Sequence, residues 1–301
     1  MAVATILTAA VGCDKRAHGE AVDAVVQQQT SLAGKPTVLF QLFGDPSDPR
    51  LIPVAIMGHG RLSSITLNPE GWHNFDRLYF KPGSRVTIYH DGAPLTVAVV
   101  QRGMWTGGVP LYRLPRCRAP MPMAAAKLDS VPPDMTSLDL IGTSDPLPLT
   151  PRGRVTPADQ DSAHAMADRV AQRARLTPAM RAEMDLSTLA FHAGASSLPT
   201  LLTSFMEKPT SFGLRPRQAF ALSDSMATGY GITFFHAPTD STPEFRRFVD
   251  PVDLTDDGVD EVVLEGWKSG SDSYPIVLKF VRGSWHELAR GASSWCGDAH
   301  R

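Results

Sequence analysis

A chain of 301 residues with 43% hydrophobic content has ample material for a buried core, enough for one large or two ordinary domains. A formal net charge of −2, a pI near 6.5 and the lack of any long basic run exclude a nucleic-acid footprint and a polybasic membrane patch. No apolar run reaches the roughly 18 residues of a bilayer-spanning helix, and 24 Gly with 25 Pro favour turn-dense β structure over a helical fold.

The chain opens on an apolar stretch that ends Ala10-Val11-Gly12-Cys13, with Asp14, Lys15 and Arg16 following at once. This resembles the end of a bacterial lipoprotein signal peptide, in which the cysteine after a small residue is lipidated and becomes the new N-terminus. It departs from that pattern at Ala10, where Leu is usual, and in lacking a positive n-region. The resemblance implies that residues 1–13 are signal peptide and lipobox, that Cys13 carries lipid, and that the chain is exported to the periplasm or cell envelope. Residues 14–35 are then a tether or short helix. With Cys13 lipidated, Cys117 and Cys296 remain, and an oxidising compartment favours a disulfide between them. Two separate buried thiols are the alternative. Neither cysteine has a second Cys or a His at metal-ligand spacing.

Residues 36–127 read as an N-terminal β domain. Strand formers cluster at 38–43, 54–57, 63–67, 78–80, 85–90 and 95–100. The turns between them are Gly58-His59-Gly60-Arg61, Lys81-Pro82-Gly83 and Asp91-Gly92. Residues 128–156, rich in Pro, Ser, Thr and Asp, read as a linker. Thr156-Pro157-Ala158-Asp159 is a helix start: N-cap, Pro at the first helical position, an acid at the third. Thr177-Pro178 repeats the signal, so 157–184 is a helical pair. Residues 185–296 form a C-terminal β domain, with strands expected at 187–192, 200–206, 218–222, 231–236, 246–249, 261–267, 276–281 and 285–288. The fold class is mainly β: two antiparallel units, each a sandwich, small barrel or partial-propeller-like sheet.

One segment carries chemistry. Residues 253–261 place Asp253, Thr255, Asp257 and Glu261 at positions 1, 3, 5 and 9, with Gly258 at 6. That spacing turns oxygens inward around a hard cation, and the Val259 carbonyl can join them. The predicted calcium ligands are therefore Asp253, Thr255, Asp257, Val259 and Glu261, with Asp256 and Asp260 pointing outward. Position 12 is Leu264, where an EF-hand needs a bidentate Glu, and the following segment reads as strand. A loop of this kind opening onto a strand resembles the FG-GAP or VCBS-like repeat over about residues 245–296, with Thr255 departing from the usual Asp or Asn. The alternative is an acid-rich turn whose carboxylates bond backbone amides.

No Gly-x-Ser-x-Gly elbow, His-Glu-x-x-His pair or Gly-x-Gly-x-x-Gly fingerprint occurs. His73 and Asp76, beside Trp72, are the nearest approach to an acid–base pair; His59 and His90 fall at turns, His192 and His236 at strand ends. Trp72, Trp105, Trp267 and Trp285 suit either a sugar platform or a core. Two functions compete. One is a non-catalytic exported or lipid-anchored envelope protein that binds a protein or polysaccharide partner, with calcium as a structural ion. The other is an extracytoplasmic hydrolase with a dispersed site.

Overall fold

The computed structural model describes residues 35–58, 60–65, 67, 69–103, 123–133, 135–136, 138–148, 150–208, 217–239, 243–268 and 273–291. Cys13, Cys117 and Cys296 lie outside them, as do His59 and Trp105. The chain is mainly β, with 54% strand and 15% helix, in antiparallel sheets.

The first unit is a closed barrel of six strands. Its elements are β1 (Thr37–Asp45), β2 (Asp48–Gly58), β4 (Arg85–His90), β5 (Ala93–Arg102), β6 (Ala124–Leu128) and β7 (Leu138–Thr143). Their order is β1-β7-β4-β5-β6-β2, and β1 pairs back to β2; β3 (Arg61–Ser64) extends the sheet beyond β2. Closure removes the sheet edges that would otherwise invite another chain. Alternation along β1 sends Val38, Phe40 and Leu42 inward, where Val86, Ile88, Val100 and Leu140 meet them.

Two findings differ from the sequence reading of this region. The stretch read as a strand at 78–80 is the end of helix α1 (Pro69–Tyr79). Trp72, Phe75 and Tyr79 recur at helical spacing, and Phe75 and Tyr79 insert beside Phe40 in the barrel core. Part of the segment read as a linker is β7, the strand that closes the barrel between β1 and β4. A single Gly lets it approach: a Cβ at Gly142 would lie 2.6 Å from Ile88 Cδ1 and 2.8 Å from the Thr87 carbonyl oxygen.

Beyond the barrel come two four-stranded meanders. One sheet holds β8 (Met184–Phe191), β9 (Thr200–Glu207), β10 (Gln218–Met226) and β11 (Gly229–His236). The other holds β12 (Glu244–Val252), β13 (Glu261–Lys268), β14 (Ser273–Val281) and β15 (Ser284–Arg290). Helices α2 (Pro157–Arg173) and α3 (Pro178–Ala182) begin at the two predicted caps, and Thr156 with Asp159 forms a complete capping box.

These parts stack as four layers. The outer barrel residues Leu39, Val54, Met57 and Ile141 pack on Val252, Val263 and Val277 of the β12–β15 sheet. The other face of that sheet, through Val262, Leu264, Ile276 and Leu278, packs on Leu202, Phe220 and Leu222. The far face of the β8–β11 sheet receives Ala167, Val170 and Ala171 of α2. Sheets covered on both faces explain why β13 and β14 read as continuous apolar runs instead of alternating ones.

The barrel seam makes a direct prediction. Gly142→Ala is expected to lower the urea midpoint by the equivalent of about 1–3 kcal/mol with an unchanged m-value, because overpacking forces β7 from β4. An unshifted midpoint would show that the seam has room.

Candidate functional site

The loop between β12 and β13 lies where the barrel, both meanders and the pre-helix segment meet. Asp253 is spent on the loop's own backbone: Oδ1 accepts from the Asp257 amide at 3.2 Å and Oδ2 from the Gly258 amide at 2.9 Å. Left-handed φ values of +56° at Asp256 and +83° at Gly258 give the tight turn. Glu261, only 1% exposed, accepts at Oε2 from the amides of Leu254 (2.8 Å) and Thr255 (3.1 Å). Its Oε1 accepts from the Thr255 hydroxyl at 2.7 Å. Val259 donates its amide to Asp257 Oδ1 at 3.1 Å.

A cation completes this set, and it is a side chain. Lys279 Nζ donates to Asp257 Oδ2 at 2.6 Å, to Glu261 Oε1 at 3.1 Å and to the Thr255 hydroxyl oxygen. Register explains its arrival: Val262 pairs with Leu278 across β13 and β14, so Glu261 and Lys279 face each other one step on. Burial opposes the charge on Lys279, but Asp257 and Glu261 accept from it and hold its pKa above the ordinary lysine value. Three of the side chains assigned to calcium by spacing thus converge on an ammonium.

Asp256 faces solvent. Asp260, also expected to point outward, does not: it is 5% exposed and held by Arg152, whose Nη2 and Nε donate to its two oxygens at 2.5 Å and 2.9 Å. Arg152 also donates to the Gly258 carbonyl at 2.9 Å. This bidentate pair ties the segment before α2 to the loop. Gly194, at φ +75°, is required beside it, since a Cβ there would lie 2.5 Å from Arg152 Nη1.

Two further carboxylates pin the meanders. Asp224, 1% exposed on β10, accepts from Thr200 Oγ1 at 2.6 Å, from Trp285 Nε1 at 2.8 Å and from the Thr233 hydroxyl. Trp285 belongs to β15, so this carboxylate spans both sheets. Glu244 accepts from Arg246 Nη2 at 2.8 Å, from Arg290 Nη1 at 2.5 Å and from the Tyr274 hydroxyl. Burial pushes its carboxyl up, but these donors outweigh that and hold it at about 2.

Asp250, near the end of β12, has fewer partners. It is 0% exposed; Oδ1 accepts from the Gly92 amide at 3.1 Å, and Oδ2 has no hydrogen-bond partner among the described residues. Burial pushes this carboxyl up to about 8, against the pull of the Gly92 and Asp91 amides. The β4–β5 turn lies directly against it, and His90, Asp91 and Asp250 each bring a nitrogen or oxygen within 4.8 Å of the others.

The residues weighed for catalysis are dispersed. His73 and Asp76 both lie on α1, with His73 exposed and neighbouring Trp72 packed edge-on to Phe75 at 5.4 Å. His236 Nε2 sits 2.7 Å from the Glu244 carbonyl oxygen, and burial lowers its pKa. Trp267 packs on Phe245 at 5.6 Å. Arg152, Asp224, Asp250 and Lys279 were missed by sequence reasoning because their partners are brought in by the fold from distant positions. Only Lys279, an isolated charge in an apolar strand, carried a local signal.

Removing the cation tests the loop. Lys279→Met leaves Glu261 buried without its counter-charge and is expected to cost about 3 kcal/mol. Millimolar calcium should leave the wild-type melting temperature unchanged and raise that of Lys279→Met. A variant as stable as wild type would show that the ammonium does not hold the loop.

Glu244 sets an acid limb. Its folded pKa of about 2 lies below the ordinary 4.5, so its contribution is present above pH 4.5 and is lost as pH falls towards 2. The full amplitude is about 3 kcal/mol, and Glu244→Gln should flatten denaturation midpoints over that window. Parallel pH curves for the two proteins would contradict the assignment. Compared with protein-family models, with characterised proteins and with solved structures, the chain matches none.

Proposed function

We propose that the chain is a non-catalytic, exported envelope protein, lipid-anchored through Cys13, that works as a binding or scaffold module. The observation that carries this reading is the use made of buried charge. Asp224, Asp260 and Glu261 are each committed to donors on a neighbouring strand, sheet or segment. Groups so saturated fix layers in place. The acid-rich loop serves the same end, as a cross-brace closed by Lys279. The two stacked meanders support the likeness of residues 245–296 to a propeller-type blade, with the β8–β11 sheet as its neighbour.

A recessed surface suits the binding role. A wide-open cleft of about 550 Å³ runs between α2, α3 and the β8–β9 strands. Ala167, Leu186 and Phe205 line it with apolar surface, and His164, Asp168 and Arg181 add polar groups. Leu186 is 40% exposed, an apolar group held in water at the cleft. An apolar lining with a few polar groups fits a protein or polysaccharide segment laid across it. Among the described residues no helix is long and apolar enough to cross a membrane; the proposed attachment is through lipid on Cys13.

One experiment addresses both parts. Expressed from its own start in a bacterial host, the wild-type chain should fractionate with membranes, and Cys13→Ser should release it or block processing. In the anchored protein, a photo-crosslinker at Leu186 should trap an envelope component, while one at Asp256 should not. Intact wild-type chain in the cytosol overturns the localisation; equal trapping at the two positions overturns the cleft as the binding surface.

A further inference from the structure

We propose that His90, Asp91 and Asp250 bind one divalent transition-metal ion of the zinc class, which clamps the β4–β5 hairpin of the barrel to the end of β12. The three ligand atoms lie within 4.8 Å of one another. His90 Nε2 and Asp91 Oδ2 are 4.0 Å apart. The third ligand is the unusual one. Asp250 is fully buried, and one of its oxygens lacks any partner among the described residues. An unpartnered oxygen in such a position is costly, and a metal ion satisfies it without a further hydrogen bond.

Donor chemistry selects the ion. One imidazole nitrogen and two carboxylate oxygens suit Zn²⁺ and its first-row neighbours, whereas Ca²⁺ takes six to eight oxygens. At zinc–ligand distances of about 2.0–2.2 Å, tetrahedral donors sit about 3.4 Å apart. The contraction required falls on His90 and Asp91, whose side chains are 45% and 83% exposed. Three protein ligands leave a fourth position for water.

Charge points the same way. Among the described residues no Lys or Arg pairs with Asp91 or Asp250, while Lys279 and Arg152 are committed to Asp257, Glu261 and Asp260. His90 and Asp91 precede Asp250 by about 160 residues, so the ion would join two layers.

The test uses the full chain, stripped with a chelator and titrated with ZnCl₂ by calorimetry, with metal analysis after dialysis. Wild type should take up one Zn²⁺ per chain. His90→Ala and Asp91→Asn should each weaken binding tenfold or more. Both positions are exposed, and Asn suits the left-handed turn, so both variants are expected to fold. Asp257→Asn, in the neighbouring acidic loop, should leave affinity within about twofold. Wild type without stoichiometric uptake overturns the proposal. So does binding that survives both His90→Ala and Asp91→Asn, or binding lost equally in Asp257→Asn.

Discussion

A carboxylate taken out of water must be met by donors or by positive charge, and that constraint organises the junctions of this molecule. An unpaired buried ion costs several kcal/mol, more than a typical layer contact returns. Here four of the buried acids stand at junctions. Asp224 stands between the two meanders, Asp260 between the pre-helix segment and the β12–β13 loop, Glu261 between β13 and β14, and Asp250 between the β12–β15 sheet and the barrel. Apolar faces alone would allow the layers to slide by a residue. A carboxylate whose donors come from the opposite layer allows one register only.

The stacking gives these acids their setting. The β12–β15 sheet has no free face: the barrel covers one side and the β8–β11 sheet the other. Polar groups that enter its covered parts depend on internal partners, since little water reaches them. The strand ends are where backbone pairing stops and side chains must take over. The β12–β13 loop shows the consequence, with the amides of Leu254, Thr255, Asp257 and Gly258 all bonded to side-chain carboxylates. Lys279 then neutralises what the amides cannot.

Local chemistry was legible in the sequence, and long-range chemistry was not. The Thr156 cap, the Thr177 cap and the Asp91-Gly92 turn were readable because each is decided within a few residues. The strands of both meanders were readable from β-branched and aromatic runs bounded by turns. Strand β7 was obscured by its short length and by the Pro-rich residues around it, and what makes it a strand is the barrel seam it fills. Helix α1 was hidden because Leu78 to Phe80 look strand-like in isolation, while its helical face is defined by Phe40 across the core. The acidic spacing at 253–261 was read as calling for a cation, and the structure supplies an ammonium there. No local pattern places Lys279 eighteen residues after Glu261. The pairing of Asp260 with Arg152, 108 residues away, is beyond any local reading.

The β4–β5 turn shows how turn chemistry and charge come into conflict. His90 pairs with Ala93, leaving Asp91 and Gly92 as a two-residue loop with φ values of +53° and +70°, the type I′ geometry. That geometry accepts Asn or Gly as readily as Asp, so the backbone does not require a carboxylate at 91. Asp nevertheless stands there, with a carboxylate oxygen within 4.8 Å of one from Asp250. As a turn residue alone it adds to what opposes ionisation of the buried Asp250, on a left-handed backbone that already costs about 1 kcal/mol. A positive charge between the two acids would favour their ionised forms, and a ring nitrogen of His90 lies within 4.8 Å of an oxygen from each. The turn thus brings ligand-type groups against the end of β12, in the layer that Asp224 and Glu261 also help to hold.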